Sequence, residues 1–91
     1  MPIPKSHREQ IDTNPFFRVC VRASESNCEG RITIDHAVTY AGKRLNEMWC
    51  YVPVCMYHHG LLGSGGLDKT FNRKVALSRA TPEELAKYPR L

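Results

Sequence analysis

The sequence lacks a long apolar run. No stretch approaches the roughly twenty consecutive apolar residues needed to cross a bilayer, which excludes a membrane-spanning helix. It is also short of material for a core. Hydrophobic residues make up 42% of 91 positions, yet residues 1–15 and 22–31 contain little that can pack. The length allows one small domain, and a loop-rich domain of that size needs a staple, either disulfides or a metal. No secretory leader is expected, because residues 1–15 are polar and contain no apolar segment. The expected setting is therefore reducing and cytoplasmic, where disulfides are disfavoured and cysteines serve as metal ligands. Internal repeats, low-complexity tracts and any break long enough to separate two domains are absent as well. Acidic residues are the minority: nine Asp and Glu against thirteen Lys and Arg give a formal charge of +4. That balance suits a nucleic-acid partner without requiring one.

Residues 1–15 read as an arm punctuated by Pro2, Pro4 and Pro15, with capping-box spacing at Ser6 and Glu9 that predicts a short helical turn over 6–11. "FFRVCV", residues 16–21, is apolar and β-branched and predicts a strand leading into Cys20. "ASESNCEG", residues 23–30, is turn chemistry. "RITIDHAV", residues 31–38, alternates and predicts a strand, with Asp35 and His36 at its end on opposite faces of the pleat or splayed by fraying. Residues 39–48 read as a basic loop bending at Gly42, and "WCYVPVC", residues 49–55, as a short strand broken by Pro53. Residues 55–62 allow a helical turn or two before the flexible "GSGG" at 63–66. Leu67, Phe71 and Val75 then fall four apart, with Ala76, Leu77 and Ala80 broadening the apolar side of an amphipathic helix. Thr81 as N-cap, Pro82 at N1 and Glu84 at N3 start a last helix, which Pro89 stops.

What the chain does have is a constellation of soft ligands. Structural zinc takes four such groups in a tetrahedron, commonly as two close pairs. Cys55 and His58 have the tight knuckle spacing C-x2-H. Cys20 and Cys28 supply the second pair, with a Ser- and Asn-containing insert able to loop the sulfurs together. The competing set replaces His58 with Cys50. The compact knuckle favours His58, leaving Cys50 as a small buried residue beside Trp49. Asp35, His36 and His59 remain. Asp35 is a hard oxygen ligand and His59, fixed in direction by the knuckle, a nitrogen ligand; together they can hold a divalent ion with positions open to water and phosphate. His36 can take a proton from an attacking water.

The order "C…C…DH…VPVCMYHH" resembles the HNH nuclease superfamily, the ββα-metal fold, and in particular its zinc-stapled, treble-clef-like members. The likeness covers residues 18–60 or so. Size and the basic loop are also similar to small phage or prophage HNH proteins, whose place is the host cytoplasm. The resemblance implies an α+β domain: an arm at 1–15, a zinc-stapled core at 16–62 and two C-terminal helices over 67–91. It implies structural Zn2+ on Cys20, Cys28, Cys55 and His58. Mg2+, Mn2+ or another divalent metal would sit on Asp35 and His59, with His36 as general base against a DNA phosphate. Asn46 would orient His36, and Lys43 and Arg44 would contact phosphates. DNA is the expected partner, with room for a protein partner or a homodimer. The sequence departs from the family pattern twice: Cys50 occupies the slot of the middle asparagine, and Gly63 the slot of a further metal ligand, for which Asn72 or Asp68 can substitute. Those departures sustain a second expectation, a zinc-binding DNA- or protein-interaction module without catalysis.

Overall fold

The computed structural model describes residues 3–25, 27–63 and 67–91. Pro2, Ser26 and residues 64–66 of the "GSGG" break lie outside the described residues. The fold is α+β. In chain order, α1 (Lys5–Thr13) precedes a 3-10 turn (Pro15–Arg18) and strand β1 (Ile32–His36). The short strands β2 (Thr39–Tyr40) and β3 (Lys43–Arg44) follow. A second 3-10 turn (Met48–Cys50) runs into β4 (Tyr51–Cys55), and helices α2 (Lys69–Arg79) and α3 (Pro82–Ala86) complete the chain. Among the described residues no helix is long and apolar enough to cross a membrane.

The central sheet is the antiparallel pair β1–β4, in which Ile34 stands opposite Pro53 and Asp35 opposite Val52. Pro53 does not break the strand, contrary to the sequence expectation. It lacks an N–H, and its carbonyl turns away from β1 to accept from the Val21 amide at 2.9 Å. Ile34 and Pro53 therefore occupy a register position at which antiparallel partners exchange no hydrogen bond, and the missing donor costs nothing. The basic loop is likewise more ordered than expected. Thr39 pairs with Arg44 and Tyr40 with Lys43 around Ala41 and Gly42, whose φ values of 52° and 80° make the two-residue turn that matches strand twist.

The N-terminal region differs most from its reading. The expected strand over 16–21 is a 3-10 turn at Pro15–Arg18, because Pro15 sits at its start and the Asn14 side chain caps it by accepting from the Phe16 amide at 3.0 Å. The arm is a docked helix: Ile11 of α1 packs with Phe17 and Tyr51, and His7 Nδ1 lies 2.8 Å from the Tyr51 hydroxyl. Ser6 does not cap α1. Pro4, extended at ψ 149°, holds that position without a side-chain hydrogen bond, which places Ser6 inside the first turn.

Helix α2 begins at its N-cap Asp68, whose carboxylate accepts from the Phe71 amide at 3.0 Å. Its buried residues are Asn72 and Ala76, while Phe71 and Val75 are half-buried. The apolar stripe seen in sequence is thus rotated by one residue, because the most buried position is given to a polar side chain. α2 packs on β4 and on the turn preceding it. Arg79 at its end donates to the Tyr51 carbonyl at 3.1 Å and lies 3.7 Å over the Phe16 ring, tying helix, sheet and N-terminal turn together. α3 has the expected capping box between Thr81 and Glu84, but it ends at Ala86, short of Pro89. The main core collects Val38, Trp49, Cys50, Val52 and Ala76, with Leu85 and Tyr88 against it.

Trp49 is only 3% exposed, and its indole N–H is buried without a hydrogen-bond partner among the described residues. Trp49→Ala is expected to cost about 3–5 kcal/mol through the cavity it leaves. Trp49→Phe is expected to cost less than half of that, since it removes an unsatisfied donor together with the lost contacts. Denaturant midpoints of the two variants check the ordering.

Candidate metal centres

The knuckle after β4 is built by local backbone chemistry. The His59 amide donates to the Cys55 carbonyl, the Gly60 amide to Tyr57 and the Leu61 amide to Met56. With Gly60 at φ 79° these bonds form a Schellman ending, so residues 56–59 make a single helical turn, the shorter of the lengths the sequence allows. That turn projects His58 and His59 in fixed and different directions. Gly30, also at φ 79°, lets the preceding loop close against the knuckle: a β-carbon there would lie 2.7 Å from Cβ of Met56.

His58 points inward. Its Nδ1 lies 3.4 Å from Cys20 Sγ, 3.7 Å from Cys28 Sγ and 3.2 Å from Cys55 Sγ. All four ligand atoms fall within 4.8 Å of one another. A tetrahedral zinc with ordinary Zn–S and Zn–N bonds separates S from N by about 3.6 Å, so this Cys3His set can hold a metal ion such as zinc. Cys50 lies outside the cluster. It is fully buried in the main core, and burial pushes its thiol up to about 12. Within the cluster, loss of water and hydrogen bonding to Cys55 and Cys20 push Cys28 up to about 12. Cys55 is buried as well, which opposes ionisation, but backbone N–H groups of His58 and Glu29 outweigh the burial and hold it at about 6. Of these two thiols, Cys55 therefore ionises more readily than Cys28.

His59 points to a second place. Thr33 Oγ1 donates to the Val54 carbonyl at 2.7 Å and so presents its lone pairs to His59 Nδ1, also at 2.7 Å. That bond puts the proton on Nδ1 and leaves Nε2 as the ligating nitrogen. Nε2 faces Asp35 Oδ1 at 3.8 Å. The carboxylate is only 4% exposed and is held from two sides by α2: Asn72 Nδ2 donates to Oδ2 at 3.0 Å and Lys69 Nζ to Oδ1 at 3.0 Å. Lys69 also donates to the His36 carbonyl at 2.8 Å. The Lys69 ammonium rests on the same Asp35 oxygen that faces His59. Neither Lys69 nor the carboxylate-binding role of Asn72 was anticipated from sequence. Asn72 instead appeared as a substitute metal ligand, and Asp68, named with it, serves as the helix cap.

His36 lies on the other face of β1, with its ring edge-on to Tyr51 at 5.3 Å between centroids. It makes no hydrogen bond to Asp35 or His59 among the described residues. Burial and the positive charge of Arg44 lower its pKa, against a hydrogen bond from Asn46 and the charge of Asp35. Nε2 is buried without a partner among the described residues. Behind it runs a polar chain: His7 meets the Tyr51 hydroxyl, which donates to Asn46 Oδ1 at 3.4 Å. Burial raises Tyr51 to about 12, so that hydroxyl stays protonated. Lys43 and Arg44, on β3, are exposed.

Cys55→Ser is expected to abolish tight zinc binding and cooperative unfolding, whereas Cys50→Ser should retain the metal and lose only core stability, on the order of 1–3 kcal/mol. Elemental analysis beside thermal melts separates the two. Comparison with protein-family models, with curated proteins and with solved structures finds no match for this chain.

Proposed function

We propose that the protein is a metal-dependent endonuclease of the HNH type, which hydrolyses DNA phosphodiester bonds. The observation that carries this reading is the facing pair of Asp35 Oδ1 and His59 Nε2 at 3.8 Å, with the imidazole tautomer fixed by Thr33. β1 and β4 bring that pair together and α2 closes over its carboxylate, which supports this reading. The neighbouring Cys3His cluster supplies the staple expected of zinc-bearing members of that superfamily.

In this reading Asp35 and His59 hold Mg2+, Mn2+ or a similar ion. When bound, that ion supplies positive charge to the phosphate and to the departing oxygen. The resemblance assigns His36 the proton of the attacking water; its ring, oriented by Asn46 with Tyr51 and His7 behind, stands on the other face of β1 from Asp35 and would reach that water only past the strand end. Asn72 steadies the Asp35 carboxylate. Arg44, close enough to act on His36, and Lys43 beside it hold neighbouring phosphates.

A second reading, a zinc-binding interaction module without chemistry, is favoured by one observation. The Lys69 ammonium takes the Asp35 oxygen at 3.0 Å, and Gly63 offers no side chain as a further ligand.

A plasmid-nicking assay with Mg2+ or Mn2+, with and without chelator, distinguishes the readings. His36→Ala is expected to abolish nicking while zinc content and melting temperature stay at wild-type values. Cutting at the wild-type rate by this variant would refute the assigned base. Lys69→Met should tighten Mn2+ binding at the Asp35–His59 pair by about 0.5–1 kcal/mol, or roughly two- to fivefold, because a partly exposed ion pair no longer competes. Mn2+ titration followed by electron paramagnetic resonance measures that gain independently of cleavage.

A further inference from the structure

Among the described residues β1 pairs with β4 alone, which leaves its other edge without a strand partner. At Ile34, opposite the bond-free Pro53, the backbone N–H and carbonyl turn toward that edge. A cleft of about 290 Å³ runs beside it, floored by Ile32 and Ile34, with Arg8 of α1 and Arg31 at its rim and His36 in its wall. Both arginines are exposed. Among the described residues neither guanidinium is ion-paired with a carboxylate or hydrogen-bonded to a protein group. Two long cations standing beside an apolar floor without a counter-charge raise the local concentration of anions there.

Unpartnered strand edges also receive extended peptides, but here the edge is too short for that. Lys69 already occupies the His36 carbonyl at 2.8 Å, which leaves Ile32 and Ile34 to pair, and strand addition draws its affinity from a longer row of such bonds. The charges favour a polyanion.

From this we infer that the cleft between α1 and β1 is a DNA backbone track, in which Arg8 and Arg31 each hold a phosphate and lead the strand to His36. The inference rests on the nuclease reading for its direction of travel, and it adds two positioning residues from outside the catalytic constellation. It also gives α1 a second role, since the helix that buttresses Tyr51 through His7 brings one of the two clamps.

The test is fluorescence anisotropy of the zinc-loaded full chain with labelled single-stranded DNA, duplex DNA and RNA of one sequence, without divalent metal, over a range of salt. Arg8→Gln with Arg31→Gln is expected to weaken binding to DNA at least tenfold at low salt. The log–log salt slope should fall by about 0.7–0.9 for each arginine removed. Arg8→Lys with Arg31→Lys should keep most of the slope, which excludes a merely structural effect. Lys74→Gln, on the exposed side of α2, should change the slope by less than the arginine pair. Unchanged affinity and slope in the glutamine variant would overturn the proposal, as would a wild-type protein that prefers RNA or binds none of the three. Tight, arginine-dependent DNA binding by a protein that never cuts would uphold the track and defeat the nuclease reading instead.

Discussion

Three sulfurs and one imidazole nitrogen meeting within 4.8 Å are the contact on which the rest of the molecule depends. The cluster joins the segment after the first 3-10 turn, the loop before β1 and the knuckle after β4, pieces separated by as many as 38 positions in the chain. Apolar packing around it is modest. The third core cluster consists of Val54 and two of the cysteines themselves, with Ile32, Val21 and Tyr57 at its edge. A chain with so little to bury gains most from a cross-link that closes long loops, and a metal bound only by the folded form contributes its binding free energy directly to folding.

The meeting of His59 with Asp35 follows from the cluster. Because Cys55 and His58 share one helical turn closed at Gly60, the next residue has no freedom of direction, and His59 meets Thr33 and Asp35 across the sheet. Asp35 is available to it because β1 alternates, sending the carboxylate to one face and His36 to the other. α2 then closes over the carboxylate with Asn72 and Lys69. That closure gives the site its tension: the helix that orients the ligand also supplies an ammonium ion in competition for it.

Local chemistry was legible in the sequence, and remote chemistry was not. The capping box at Thr81 and Glu84 is a three-residue signal, and the structure contains it. The C-x2-H spacing at Cys55 and His58 is of the same kind, and the four residues singled out by spacing are the ones that gather. Lys69 and Asn72 reach Asp35 from 34 and 37 positions away, and no periodicity announces such a meeting. Asn72 in fact disguised itself, since an apolar stripe through Phe71 and Val75 drew attention to the wrong face of α2. The turn at Pro15–Arg18 did carry a signal, an Asn-Pro pair that caps and starts a turn, but the β-branched, aromatic run after it suggested a strand. The docking of α1 depends on His7 meeting Tyr51 across 44 positions, which is why the first fifteen residues read as a loose arm.

The central claim is that the Cys3His cluster binds zinc and that this ion holds the domain together. The most direct measurement is elemental analysis of the purified chain, followed by near-ultraviolet circular dichroism as a zinc chelator is added. The account predicts a single tightly held zinc per chain and collapse of the aromatic signal from Trp49 and Tyr51 as the ion is withdrawn, with recovery when zinc is returned. A metal-free chain with the same spectrum and the same cooperative melt would contradict it.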